Sequence, residues 1–145
     1  MGTLAPASGQ MVNSVSADKT GMYYFAIDTL IQILNTKNLK PIDRIILQAD
    51  NSILEDWPNT IQGKSIIKDD NTKGIRIADL KKNDVVFKIK GITIIREQIT
   101  LSIGTYERRD KGLTFFDDGV HIFYFKFLPE SRTYKLTKLK SGVIL

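Results

Sequence analysis

The feature that most constrains the fold is an alternation of apolar and polar residues that begins after Asn83 and runs almost to the C-terminus. A period of two places successive side chains on opposite faces of a β-strand. Strands are predicted at Val85–Lys90, Ile92–Arg108, Val120–Leu128 and Thr133–Lys140, with a break or bulge at Gly91. The C-terminal half is therefore predicted to be an antiparallel β-meander.

Two connections set the register of these strands. Arg109–Gly119, which carries Asp118-Gly119, is predicted to be a hairpin loop, and Pro129–Arg132 a tight turn. A symmetric first loop and the second turn predict these opposed pairs: Ile103 with Phe123, Leu101 with Phe125, Ile99 with Phe127, Tyr134 with Phe127, and Leu136 with Phe125. All of them fall on one inner face. Leu139 is out of phase with Leu136, which predicts a bulge near Lys138.

An apolar stripe near the N-terminus predicts the one clear helix, from about Gly21 to Asn35. The stripe consists of Ala26, Ile27, Leu30, Ile31, Ile33 and Leu34. Such a wide stripe suits a helix that lies on a sheet, and Pro41 prevents the helix from continuing. The predicted fold class is α+β, with an N-terminal amphipathic helix packed on a curved antiparallel β-meander, as in a cystatin-like roll.

A chain of 145 residues suits one domain. Residues 1–16 are predicted to be a disordered tail and residues 17–145 a single α+β domain. Residues 42–82 are left open between helix and strand, with Arg44–Leu47 as a candidate strand. No apolar stretch approaches the ~20 residues of a membrane span. No signal peptide is visible, so the protein is expected to be soluble, and cytoplasmic or, if a native leader was removed, exported.

A helix followed by long antiparallel strands resembles the cystatin-like cone of nuclear-transport-factor-like domains. The helix near Gly21–Asn35 and the last three strands carry the resemblance. So do the segments Phe125-Lys126-Phe127 and Tyr134-Lys135-Leu136, which are similar to the closing strands of such domains. The resemblance implies a cone that takes a small apolar ligand and a dimer through the open sheet. It selects no activity, because such domains include isomerases, dehydratases, transport adaptors and plain binding modules.

No complete catalytic, cofactor or metal motif is present. Gly63-Lys64-Ser65 lacks the earlier glycine of a phosphate-binding loop, and the calcium-like spacing of Asp69, Asn71 and Gly74 lacks its closing glutamate. The chain contains no cysteine and one histidine. No cofactor and no metal are therefore predicted.

Two residues remain as weak catalytic candidates. His121, predicted opposite Thr105, is a candidate general base at the mouth of the cone. Glu97, in phase with the inner face, is a candidate carboxylate whose burial would raise its pKa. The register separates the two by about 26 Å along one strand, so they are not expected to act as a pair. The competing interpretations are a rim histidine and a glutamate that a bulge turns outward.

The outer face of the sheet supplies the remaining candidates. Tyr106, Ile122 and Tyr124, with Leu139 if the bulge allows, form a predicted interface that either a second copy or the segment Ile42–Ile67 covers. The net charge of +5 invites a nucleic-acid partner, but the basic residues are scattered along the chain, which disfavours one. The leading prediction is a small binding or protein-interaction domain without catalytic machinery. The alternatives are a cone-pocket isomerase or dehydratase that uses Glu97 or His121 singly, and a basic nucleic-acid-binding module.

Overall fold

A computed structural model of the chain describes residues 14–16, 19–70 and 76–142. The elements in order are β1 (Ser14–Ser16), α1 (Lys19–Lys37), β2 (Arg44–Gln48), α2 (Asn51–Leu54), β3 (Thr60–Ile61), β4 (Lys64–Asp69), a 3-10 turn (Ile77–Asp79), β5 (Asp84–Ile95), β6 (Gln98–Arg109), β7 (Gly112–Leu128) and β8 (Thr133–Ser141). The predicted α+β class is confirmed.

All the strands join one open sheet in the order β1-β8-β7-β6-β5-β2-β4-β3. Strands β5 to β8 form an antiparallel meander, whereas β2 runs parallel to both β4 and β5, so the sheet is mixed. The segment Ile42–Ile67 therefore extends the sheet sideways instead of covering its outer face. Three residues of the predicted tail, Ser14–Ser16, pair with β8, and residues 1–13 lie outside the described part of the chain.

Helix α1 packs on one face of the sheet, called the inner face below. Its buried residues are Met22, Tyr23, Ala26, Ile27, Leu30, Ile31 and Leu34. They meet a matching set from the sheet: Val85, Phe87, Leu101, Ile103, Phe123 and Phe125. The predicted helix is confirmed, and it extends two residues further at each end than the apolar stripe indicated.

The strand predicted at Ile92–Arg108 is wrong as a single element. The chain turns at Arg96 and Glu97, so that β5 ends at Ile95 and β6 begins at Gln98. Arg96 takes the left-handed backbone conformation, with φ of 57°. The turn contains no glycine, proline or asparagine, so its composition gives no turn signal. The alternation does change phase across it, from Ile92 and Ile94 to Ile99 and Leu101 on the same face. The predicted irregularity at Gly91 is confirmed as a register shift between Ile89 and Gly91.

The next connection is also shorter than predicted. The turn between β6 and β7 lies at Asp110 and Lys111, and the rest of the predicted loop belongs to β7. Ile103 therefore lies opposite His121 instead of Phe123, which is a slip of two residues. Because side chains alternate with a period of two, an even slip leaves every residue on its predicted face.

The pairing of β7 with β8 agrees with the sequence. Phe125 lies opposite Leu136 and Phe127 opposite Tyr134, as predicted. The register then shifts so that Tyr124 pairs with Lys138, which confirms the bulge. Beyond the bulge Leu139 pairs with the buried Phe123.

Among the residues that the structure describes, the outer face is covered only at the end next to β2. There Leu80, from the segment that follows the 3-10 turn, packs with Ile46 and Val86. Tyr106 and Leu113 border this small cluster. No helix in the described residues is long and apolar enough to cross a membrane.

Candidate functional site

His121 is fully buried on the inner face. Its Nδ1 lies 2.7 Å from Ser141 Oγ, whereas its Nε2 has no hydrogen-bond partner among the described residues. Burial lowers the pKa of His121, and the nearby Asp118 and Asp117 carboxylates oppose this effect without reversing it. The imidazole therefore has no surface that a substrate can touch, and the structure gives no support to His121 as a general base at a cone mouth.

The buried neutral imidazole predicts a pH-dependent stability. In the unfolded chain His121 takes a proton near its ordinary pKa of 6.5, but the folded chain resists protonation. The free energy of unfolding is therefore unaffected by this histidine above about pH 6.5. Below that pH it falls, by up to about 1.4 kcal/mol per pH unit. We expect chemical denaturation to show this loss between pH 7.5 and 5, relative to a His121→Gln variant. A difference between the two proteins that does not change with pH would contradict the prediction.

Glu97 lies in the turn between β5 and β6 and is exposed. The sequence predicted an inward carboxylate because Glu97 is in phase with the inner residues, but the turn removes it from the strand. Its backbone carbonyl accepts a hydrogen bond from the Phe127 N–H at 3.0 Å. An open depression of about 480 Å³ beside it is lined by Arg96, Lys126 and Thr137, among others, and by no second carboxylate.

The rejected motifs have ordinary structural roles where the structure describes them. Gln62 and Gly63, with φ of 52° and 77°, form the two-residue turn between β3 and β4. Both residues of such a turn need positive φ, so the turn explains Gly63 and no phosphate-binding site is needed to account for it. Asn71 and Gly74 of the calcium-like spacing lie outside the described residues. Within the described ranges no three His, Asp or Glu side chains cluster as metal ligands would.

Trp57 is a core residue. Only 3% of its surface is exposed, and its ring lies 5.6 Å from that of Tyr24 on α1. The side chains of α1 and of the sheet form one apolar core on the inner face, and this core fills the space where the cone was expected. A ligand in a cone therefore stays a prediction that no described cavity supports.

The part of the outer face that stays open is formed by β5 to β8. Strand pairing places the following residues on it: Lys88, Lys90, Gly91 and Thr93 from β5; Thr100, Ser102, Gly104 and Tyr106 from β6; Phe115, Val120, Ile122, Tyr124 and Lys126 from β7; and Lys135, Lys138 and Lys140 from β8. We call this set the lysine face. None of its residues is acidic.

The four predicted interface residues do not stay together. Tyr106 and Tyr124 lie on the lysine face as expected. Ile122 lies there too but is only 7% exposed, so it offers little apolar area to a partner. Leu139 points to the inner face, where it packs against the main core. The predicted interface, in which tyrosines surround an aliphatic centre, is therefore more polar than expected.

Two glycines allow aromatic rings to lie flat on the lysine face. A Cβ atom on Gly104 would come within 2.7 Å of the Tyr106 ring, and one on Gly119 within 2.8 Å of the Phe115 ring. Any side chain at either position would lift the ring away. The rings of Tyr106 and Phe115 stack with centroids 5.2 Å apart and an interplanar angle of 27°. We call this pair the aromatic platform.

A bulge in β7 holds the platform in place. Asp117 has φ of 57°, and the buried Thr105 hydroxyl lies 2.8 Å from the Phe116 carbonyl oxygen. From the end of α1, Lys37 Nζ reaches Asp117 at 2.7 Å and Asp118 at 3.0 Å. These two carboxylates raise the pKa of Lys37, mainly through their hydrogen bonds. The bulge is therefore fixed from the inner side, while its neighbour Phe115 faces outward.

Lysines border the platform on β5. The ammonium groups of Lys88 and Lys90 lie 4.9 Å and 5.3 Å from the centroid of the Tyr106 ring. Both distances are within the range in which a cation is attracted to an aromatic face. The lysines therefore cover Tyr106 from above and bring two positive charges to the middle of the sheet.

A second group of lysines lies on β7 and β8. Lys138 is 5.8 Å from the Tyr124 ring centroid, and repulsion by Lys140 lowers the pKa of Lys138. Lys126 and Lys135 lie opposite each other across the same two strands. Like charges at such positions are unfavourable in the isolated sheet. This arrangement favours the approach of an anion.

No known protein family, curated protein or solved structure matches this chain. The resemblance to nuclear-transport-factor-like domains therefore stays a prediction.

Proposed function

We propose that this chain is a non-enzymatic nucleic-acid-binding domain that holds the phosphate backbone against the lysine face. The observation that carries the proposal is the concentration of six lysines on the open part of one sheet face, to which the strands contribute no carboxylate. Glu97, in the turn between β5 and β6, borders this face beside Lys126. The scattered basic residues of the sequence disfavoured this function. Strand pairing removes that objection, because residues far apart in the chain become neighbours across the sheet.

The spacing of the lysines suits a polyanion. The lysines of β5 and those of β8 lie three strand spacings apart, about 14 Å, with β6 and β7 between them. Each lysine is a point charge on a flexible stem, which suits contacts to phosphate and carries no sequence preference. The hydroxyls of Thr100 and Ser102, between the two groups, add hydrogen-bond donors of the kind that contact phosphate or sugar.

The other proposed partners fit this face less well. In a two-fold dimer packed through the lysine face, the lysines of one copy would approach those of the other, and such contacts are unfavourable. The predicted homodimer therefore stays a prediction that sedimentation decides. A cone-pocket enzyme would need Glu97 or His121 to face an enclosed apolar cavity, whereas Glu97 borders an open surface depression and His121 is buried.

Removing two lysines of β8 is expected to weaken binding and its salt dependence. We expect Lys138→Gln with Lys140→Gln to bind a labelled 15-nucleotide DNA about tenfold more weakly at 50 mM salt. The slope of log affinity against log salt should fall by about 1.4, because each lost phosphate contact removes about 0.7 for a single strand. Fluorescence anisotropy at several salt concentrations measures both quantities.

The control has the same change of charge elsewhere. Lys82→Gln with Lys111→Gln alters two exposed lysines outside the lysine face and should leave the salt slope within about 0.3 of the unmodified protein. Absence of DNA and RNA binding at 50 mM salt would contradict the proposal. Equal losses in the two double variants would show that net charge, and not this face, is responsible.

A further inference from the structure

We propose that the lysine face selects single-stranded over double-stranded nucleic acid by stacking an unpaired base on Phe115. This inference rests on the proposed function, since the lysines supply the phosphate contacts that bring the strand to the ring. It adds a second type of contact, which the charges alone do not provide.

Phe115 is the accessible ring of the aromatic platform. It is 59% exposed, and it lies in the part of β7 that pairs with β6 alone. Tyr106 is less accessible, because Phe115 stacks on it and Lys88 and Lys90 lie over its ring. An incoming base therefore meets Phe115 first.

The ring is also held in a fixed orientation. Gly119 lies against it, and the Tyr106 ring stacks with it at a centroid distance of 5.2 Å. The adjacent bulge is tied to α1 through Lys37 and Asp117. A rigid exposed ring loses little side-chain entropy when it binds, so the stacking free energy is largely retained.

The chemistry of the base explains the preference for single strands. In a duplex each base is covered on both faces by its neighbours, and only the base edges are accessible. An unpaired base exposes a face that stacks on an aromatic ring, whatever its identity. Charge complementarity with the lysines places a strand on this face, and the exposed ring stacks with Tyr106, beside which Lys88 and Lys90 lie. A single-stranded nucleic acid therefore uses both features, whereas a duplex uses the lysines alone.

The test compares Phe115→Leu with the unmodified protein on oligo-dT of 15 nucleotides and on a 15-base-pair duplex. Leucine keeps an apolar side chain but has no aromatic face. We expect the single-strand affinity to fall about tenfold at fixed salt, since stacking on one base is worth roughly that factor. The duplex affinity and both salt slopes should stay unchanged, because no phosphate contact is lost. Phe115→Trp should retain the single-strand affinity.

Leu39→Ala is the matched control, because Leu39 is 55% exposed after the end of α1 and away from the lysine face. It should leave both affinities unchanged. If Phe115→Leu binds single strands as well as the unmodified protein does, the stacking inference is overturned while the lysine proposal survives. A uniform loss on single strands and duplex would overturn it as well. If the unmodified protein binds neither probe, both proposals fail.

Discussion

Truncation of Phe125 to alanine is expected to lower the free energy of unfolding by about 3–5 kcal/mol, as for other buried aromatic residues. Phe125 has no exposed surface and lies between Ile99 and Leu136 on the neighbouring strands. Its ring stacks with that of Phe123 at 6.2 Å and meets the edge of Phe25 on α1 at 6.1 Å. The cavity would open between the helix and the sheet, where neither element can move in to fill it. Urea denaturation measures the loss.

The control for this prediction is the next residue in the chain. Lys126 is exposed and points to the opposite face, so Lys126→Ala should change the stability by less than about 0.5 kcal/mol. A larger loss for Lys126→Ala than for Phe125→Ala would mean that the two faces of β7 are assigned the wrong way round.

The alternation of side chains was sufficient to predict which residues form the core. Ile99, Leu101, Phe123 and Phe125 are all buried on the face where the sequence placed them. The positions of the turns were less predictable, because a turn such as that at Arg96 uses a positive φ without glycine or asparagine. A two-residue turn changes only the phase of the alternation, here from Ile92 and Ile94 to Ile99 and Leu101, and a bulge within one long strand would change the phase in the same way.

The misplaced turns also explain why the lysine face was missed. With Ile92–Arg108 taken as one strand, Lys88 and Lys90 were not recognised as neighbours of Tyr106. Phe115 was placed in a loop because Asp118-Gly119 is a common hairpin signal. In the structure that dipeptide belongs to a bulge within β7. The lysine face could therefore not be recognised from the sequence, because its residues come together only through the correct strand pairing.

The parallel pairing of β2 with β5 was also not predictable from periodicity, and a buried ion pair marks it. Asp84 at the start of β5 is 3% exposed, and its Oδ1 accepts a hydrogen bond from Arg44 Nε at 2.9 Å. Its Oδ2 accepts hydrogen bonds from Arg44 Nη2 and from the Lys81 N–H, the latter at 2.7 Å. Burial alone would raise the pKa of Asp84, but these hydrogen bonds outweigh it and hold the pKa below its ordinary value.

Removal of Arg44 is therefore expected to be strongly destabilising. In Arg44→Met the Asp84 carboxylate stays buried with only the Lys81 N–H as a donor. We expect a loss of about 3 kcal/mol at pH 7, at the lower end for a broken buried pair because the Arg44 side chain is itself 27% exposed. Thermal or urea unfolding measures this loss.

The double variant Arg44→Met with Asp84→Asn separates the buried charge from the lost packing. Asparagine keeps an acceptor for the Lys81 N–H but removes the negative charge, so the double variant should be more stable than Arg44→Met alone. The gap between them should narrow as the pH falls toward about 4 and be closed below that value, because burial without Arg44 raises the pKa of the Asp84 carboxyl and the single variant then takes up a proton on folding. If the single variant is as stable as the double variant at pH 7, the ion pair does not hold β2 against β5. Packing of the Arg44 side chain would then be its main contribution.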